Sequence, residues 1–285
     1  MKKSILVLAG ICIGAFTFAQ KAAVKPINAP KIKLENGQKI VATTNISIEA
    51  DLSMGMQMTS TSSSEYNLEV KSSTDKEYTI SSTLTKIKLD FNMAGQSSSY
   101  DSEKNPTPTS ETDKAIAEKL NKPVDVLLDN STGKATLKEK PSKTDEEDGN
   151  PMAGLMGAFT DASEDAIVAG AFELIPAGKK VGDSWSDTTK DNDGTTIRTC
   201  TLKSVNGDEA VLQINAVTTS SSKLDFQGME FELKSTTKTN SEVTTEMSTG
   251  RIKTKNSTSD ITGNIQVMGQ DVAITSKATT TAVYK

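Results

Sequence analysis

Leu52-Ser-Met-Gly-Met-Gln-Met58 is the stretch that decides how this chain reads. Its Met/Gly pattern returns at Phe91-Asn-Met-Ala-Gly-Gln96, Phe226-Gln-Gly-Met-Glu-Phe231 and Val267-Met-Gly-Gln-Asp271. The central glycines Gly55 and Gly95 are 40 residues apart, and Gly228 and Gly269 are 41 apart. Each pattern sits between runs that alternate apolar and polar residues, the layout of a hairpin tip.

Outward from the first tip, the apolar residues keep one parity. Ile46, Ile48, Ala50, Leu52 and Met54 precede it, and Met56, Met58, Tyr66, Leu68 and Val70 follow it. Ser, Glu, Gln and Asn fill the odd positions. A period of two sustained this far predicts long antiparallel strands with one buried face. The middle of that face holds only Ser60, Ser62 and Ser64. After a turn at Ser73-Thr-Asp-Lys76 the parity changes between Leu84 and Ile87, which predicts a bulge. Strands of this length exceed the usual range and must twist strongly. The expected fold is mainly β, a long, strongly twisted, half-barrel-like antiparallel sheet in two similar halves, with one or two helical segments between them.

Composition agrees. Ser and Thr make up about a quarter of the residues, while aromatics are 4%. Thr suits strands, but so few large apolar residues suit extended strands with a partly wet face better than a dense sandwich. The first residues, Met1-Lys2-Lys3, precede an apolar run from Ile5 to Phe18 that closes on Ala19. That layout predicts a secretory signal peptide over 1–19, cleaved before Gln20. Ile11 before Cys12 argues against lipid attachment there. Loss of Lys2 and Lys3 takes the formal net charge from −5 to −7, which disfavours nucleic acid as a partner. After cleavage only Cys200 remains, so no intramolecular disulfide can form. No further run is long enough to span a membrane. Export to the periplasm, the outer-membrane periphery or the medium is expected.

The remaining chain divides by punctuation. Residues 20–33, with Pro26 and Pro30, read as a tether. Residues 34–140 read as a first β half with a short helix, capped by Ser110 or Thr112 and holding Ile116, Ala117 and Leu120. An acidic linker over 141–151 carries Asp145-Glu-Glu-Asp148, and a loosely helical, Ser/Thr-poor segment covers 152–175. The second β half spans 176–285, with Val205-Asn-Gly-Asp208 as its clearest short turn.

Leu174-Ile-Pro-Ala-Gly-Lys-Lys-Val-Gly-Asp-Ser-Trp185 opens that half. Here, and at Tyr100-Asp-Ser102, the chain resembles a family of uncharacterised secreted β-rich proteins of Bacteroidetes type. The resemblance covers most of the chain and implies an exported all-β protein with no known activity. Physically, Gly182 permits a tight entry and Trp185 serves as a structural anchor at one end of the sheet.

Chemistry is mostly excluded. There is no histidine, which removes His-based acid–base catalysis, nucleophile pairs and metal ligation. Ser-x-x-Lys pairs occur no more often than composition predicts, and i and i+3 face opposite sides of a strand. Asp191-Asn-Asp193-Gly194 lacks the first and last ligands of a calcium loop. Asp187-Thr188-Thr189 matches a short Asp-Thr/Ser-x glycosylation pattern of the kind that arises by composition in so Thr-rich a chain. No cofactor, metal or enzymatic activity is expected.

The methionines remain. Met54, Met56, Met93, Met229 and Met268 lie at or beside tips, where apolar residues need a reason. Met adapts to varied partners. The expectation is an apolar mouth binding a lipid or another apolar ligand, in a fold that resembles the half-barrel of periplasmic lipoprotein carriers. The alternative is a structural or interaction protein of the cell envelope without a small-molecule ligand.

Overall fold

A computed structural model describes residues 31–52, 56–93, 95–104, 106–139, 163–190, 194–226, 229–267 and 270–285. The even-numbered apolar run becomes strand β1, Lys39–Leu52, and its continuation becomes β2, Met56–Ser73. They pair in register from Lys39↔Glu69 to Leu52↔Met56, with Ile40, Ala42, Ile48, Ala50, Met58, Leu68 and Val70 buried on one face. β3, Glu77–Met93, returns beside β2, and the parity change is a bulge. Tyr66 pairs with Leu84 but Glu65 with Lys86, and the extra residue, Thr85, donates its hydroxyl to the Glu65 carbonyl at 3.0 Å. The same face is thereby kept inward along the whole strand.

β4, Gln96–Asp101, and β5, Pro123–Asp129, share the far side of β3, and β6, Ala135–Leu137, pairs with β5. Between β4 and β5 lies helix α1, Glu111–Lys119. Ser110 caps it, accepting from the Asp113 amide, and the Asp113 carboxylate takes the Ser110 amide in return, a full capping box. The second helix, α2, Glu164–Ala169, is the described part of the expected helical segment. The signal peptide, the acidic linker and Met152–Phe159 lie outside the described residues.

The second half is a meander of β7, Ser184–Lys190, β8, Gly194–Asn206, β9, Glu209–Phe226, β10, Met229–Glu246, β11, Ile252–Val267, and β12, Gln270–Tyr284. The turn between β8 and β9 forms where Asn-Gly marks it, with Asn206 paired to Glu209. The two halves join into one sheet because the first strand pairs with the last, from Ala42↔Tyr284 to Leu52↔Ile274. The order is β6-β5-β3-β2-β1-β12-β11-β10-β9-β8-β7, with β4 on β3. The sheet is antiparallel throughout and does not close.

One end of this sheet is plugged. The segment after α2 crosses the inner face: α2 touches β3, β5 and β6, while Phe172 bridges to Arg251 and the Glu173 amide donates to the Gly250 carbonyl at 2.8 Å. The main core gathers there from both wings, Ile40, Leu68, Ile80, Val126 and Leu128 from one and Leu202, Leu212, Val243 and Ile252 from the other. Structure starts earlier than the tether reading of 20–33 allows. Ile32 is 1% exposed within this core, and its amide donates to the Asn130 carbonyl at 2.7 Å. The strand ends Leu52/Met56, Met93/Gln96, Phe226/Met229 and Val267/Gln270 all lie at the opposite end, the rim.

Candidate functional site

The register fixes which side chains share the inner face, and that face changes character from the plugged end to the rim. On the β1–β3 wing, Ile48, Ala50, Met58, Leu89 and Phe91 form a second buried apolar cluster. Ile116 of α1 packs on it, which explains the apolar position inside that helix. On the β8–β11 wing the same face is hydroxyl-lined. Those hydroxyls pair across strands: Thr196 with Thr218 at 2.9 Å, Ser220 with Ser235 at 2.7 Å, Thr239 with Ser259 at 2.8 Å, and Ser241 with Ser257 at 2.8 Å. Cross-strand hydroxyl pairs satisfy one another, so this wall demands little from solvent. Up the seam between the wings runs a half-buried apolar strip, Ile46, Ala278, Ile261 and Val272.

Where the strip meets the plug, charges collect. Asp187 on β7 pairs in register with Arg198 on β8, and Trp185 with Cys200. Arg198 is a cross-strand clamp: Nε and Nη2 donate to the Asp187 carboxylate at 3.0 and 2.9 Å. Nη1 and Nη2 reach Glu173 on the crossing segment at 3.1 and 3.3 Å. The Glu173 side chain is 8% exposed, and burial pushes its carboxyl above the usual range against the pull of Arg198. Two-ended pairing of one guanidinium to two carboxylates suits Arg and not Lys. Burial, with Glu173 second, pushes the Cys200 thiol up to about 12. A thiol so placed is no nucleophile at neutral pH. Cys200 is therefore expected to ignore an aromatic disulfide reagent at pH 8 in the folded protein and to react once urea is added. Full reaction without urea would place it at the surface instead.

The sequence-derived positions distribute as follows. Met56 opens β2, Met93 closes β3 and Met229 opens β10, all at the rim, and Met93 pairs with Met58. Met54 and Met268 lie outside the described residues. Gly182 has φ 95°, a left-handed turn into β7, and its amide donates to the Leu202 carbonyl at 2.8 Å. Trp185 sits half-buried on the edge strand β7, packed against the main core, with the Lys179 ammonium 5.5 Å from its ring centroid. Asp187, flagged within a glycosylation pattern, spends its carboxylate on Arg198.

Sequence reasoning missed Glu173, Arg198 and Lys255. One signal was available. The chain has only two arginines, Arg198 and Arg251, among its 32 basic residues, and both make carboxylate pairs, Arg251 with Glu246 at 2.7 Å. Among the described residues no group of three or more acidic, Cys or His side chains could hold a metal. Grooves of about 330 and 380 Å³ lie chiefly on the outer face, lined by residues such as Asn45, Ser47, Thr61 and Thr279, and Thr59, Asn92 and Ser99. Among the described residues no helix is long and apolar enough to cross a membrane.

Comparison with known proteins gives a family without an activity. The match, described as "Family of unknown function (DUF6263)", spans residues 75–252. No curated protein matches the chain. Among solved structures, one titled for lipid–protein interactions in lipovitellin aligns with a TM-score of 0.49 at 16% identity. It covers 89% of this chain, which spans a quarter of that one. An outer membrane channel from Pseudomonas putida F1 aligns at 0.22 and 8% identity, over 89% of this chain and 97% of that one.

Proposed function

The chain belongs to this family of unknown function, and from that premise we propose that it is an exported, non-enzymatic binding protein that lays an apolar or amphiphilic chain along the inner face of its sheet. The observation that carries this reading is the half-buried strip Ile46, Ala278, Ile261 and Val272. It runs between a buried apolar cluster and a wall of hydroxyls already paired with one another. An apolar chain on the strip removes reachable apolar surface from water at ~25 cal/mol per Å². The hydroxyls paired across β8–β11 keep their partners beneath it, and the Ser276 hydroxyl, opposite Ile261, is already buried without one. A catalyst would need an activated group on this face. Cys200 is buried and its thiol stays protonated, and His is absent from the chain.

The test is a titration of the whole secreted chain with a fluorescent fatty acid, beside an Ile261→Asp variant. Saturable binding by the parent, ~10-fold weaker in the variant, is expected, since a charge would replace apolar contact on the strip. No binding by the parent across fatty acids and phospholipids would overturn the reading and favour an envelope scaffold.

A further inference from the structure

Lys255 is the inner-face charge that stands outside the hydrogen-bonded Glu173–Arg198–Asp187 cluster. Register places it between Val243 and Ala282, which are 1% and 4% exposed, so its stem leaves the sheet on the inner side. Among the described residues its ammonium makes no hydrogen bond and no close ion pair, although the Glu173 carboxylate attracts it through space. Glu173, the acid that acts on it, directs both carboxylate oxygens at Arg198. An ammonium held in a half-buried place without a hydrogen-bond acceptor is a cost to folding, and burial pushes Lys255 below the ordinary lysine range against the pull of Glu173.

The surroundings suit an anion. One row toward the rim, the Ser241–Ser257 hydroxyl pair and Thr280 share the face, and across β12 lies the buried Thr44. These hydroxyls can turn to donate. From Lys255 the apolar strip leads away over Ala278 and Ile261 toward the rim. Ile261 is ~20 Å along β11 at ~3.3 Å per residue.

We infer that Lys255 receives the anionic head of a single-chain amphiphile whose tail lies on the Ala278–Ile261 strip. This rests on the reading of the inner face as a binding surface and names the class of ligand it takes. The head brings a negative charge to a site whose two cations and two carboxylates already balance. The raised Glu173 carboxyl is the group placed to take up a proton in return.

The experiment compares dodecanoate with dodecanol as competitors for a bound fluorescent fatty alcohol, in the parent, Lys255→Met and Lys255→Arg. The parent is expected to take dodecanoate ~10-fold more tightly than dodecanol, the scale of one charge-assisted contact. Lys255→Arg keeps that preference, and in Lys255→Met it vanishes while the melting temperature holds or rises. A preference that persists in Lys255→Met, or is absent from the parent, overturns the inference while leaving the apolar strip as a binding surface. A fall in the melting temperature of Lys255→Met also overturns it, because the lysine would then be the counter-charge of the Glu173–Arg198–Asp187 cluster. Competition by acetate alone at the same concentrations makes the site one for a free anion and overturns the amphiphile. Failure of the alcohol and the acid alike to bind the parent removes the surface reading and this inference with it.

Discussion

Arg198→Ala is expected to destabilise the protein by ~3 kcal/mol, read as a shift of the urea midpoint, because breaking a buried pair costs far more than the pair contributes. The loss comes from what stays behind. The Glu173 carboxylate, at 8% side-chain exposure, would keep its place under the crossing segment and lose both its guanidinium donors. Its backbone is fixed independently, by its amide donating to the Gly250 carbonyl and its carbonyl accepting from the Thr245 hydroxyl at 3.4 Å, so it cannot swing out to water. Asp187, on an exposed edge strand, can find solvent and adds little. A double variant, Glu173→Gln with Arg198→Met, should recover most of the loss, since no uncompensated charge remains.

The pH dependence has a definite sign. Burial already raises the Glu173 carboxyl above its ordinary value of 4.5, and removing Arg198 raises it further. A native carboxyl that holds its proton to higher pH than the unfolded one contributes stability below the unfolded value. That contribution is lost as pH rises through the native value. The deficit of Arg198→Ala should therefore be small near pH 4.5 and grow to its full size toward neutrality. A deficit constant between those two conditions would mean that Glu173 is not the stranded group.

The parts of this fold that the sequence discloses are those written in local periodicity. A two-residue period over Ile46–Val70, with glycine-marked tips, suffices for long strands and their inward residues, and the parity change between Leu84 and Ile87 for the Thr85 bulge, because side-chain alternation is enforced at every step. Ser110 declares a helix start because a cap is a matter of three residues. Pairing of β1 with β12 is different. It joins residues more than two hundred positions apart, and nothing in either strand's alternation names its partner. The continuous sheet follows from that one ladder.

The inner face divides the same way. Met58 and the serines at 60 and 62 are placed by parity alone. The Glu173–Arg198–Asp187 cluster needs a crossing segment to return over the sheet, and no period in β7 or β8 announces it. Scarcity was the available signal: a chain that uses lysine freely keeps its two arginines for two-pronged pairing. Lys255 has no such mark, since the odd positions of β11 turn apolar only from Ile261 onward and the stretch around Lys255 reads as polar on both faces.

Ile32→Ala is expected to cost ~3 kcal/mol, within the range for a large aliphatic side chain emptied from a core that cannot collapse around it. A residue in a proline-flanked tether would cost nothing when truncated. Ile32 instead lies where the two wings of the sheet meet. A side chain at Gly133, in the turn between β5 and β6, would come within 3.8 Å of Ile32 Cδ1, and one at Gly250, between β10 and β11, within 3.6 Å of its Cγ1. The chain there also stitches the wings by its backbone. The Ile32 amide donates to Asn130 at 2.7 Å and the Lys33 amide to Thr249 at 3.2 Å, while the Tyr78 hydroxyl donates to the Ile32 carbonyl at 3.2 Å. Collapse into the void is resisted because both neighbouring turns carry glycines of positive φ, 71° and 74°, whose shapes are set by the hairpins and not by Ile32. Ile32→Val should cost ~1 kcal/mol. The variant with Leu174→Ala should show non-additive loss, since Leu174 Cδ2 approaches the same glycine. A midpoint shift under ~0.5 kcal/mol for Ile32→Ala, the scale of a surface change, would mean that the crossing segment alone holds the wings together. The plugged end would then owe its closure to Phe172 and Glu173.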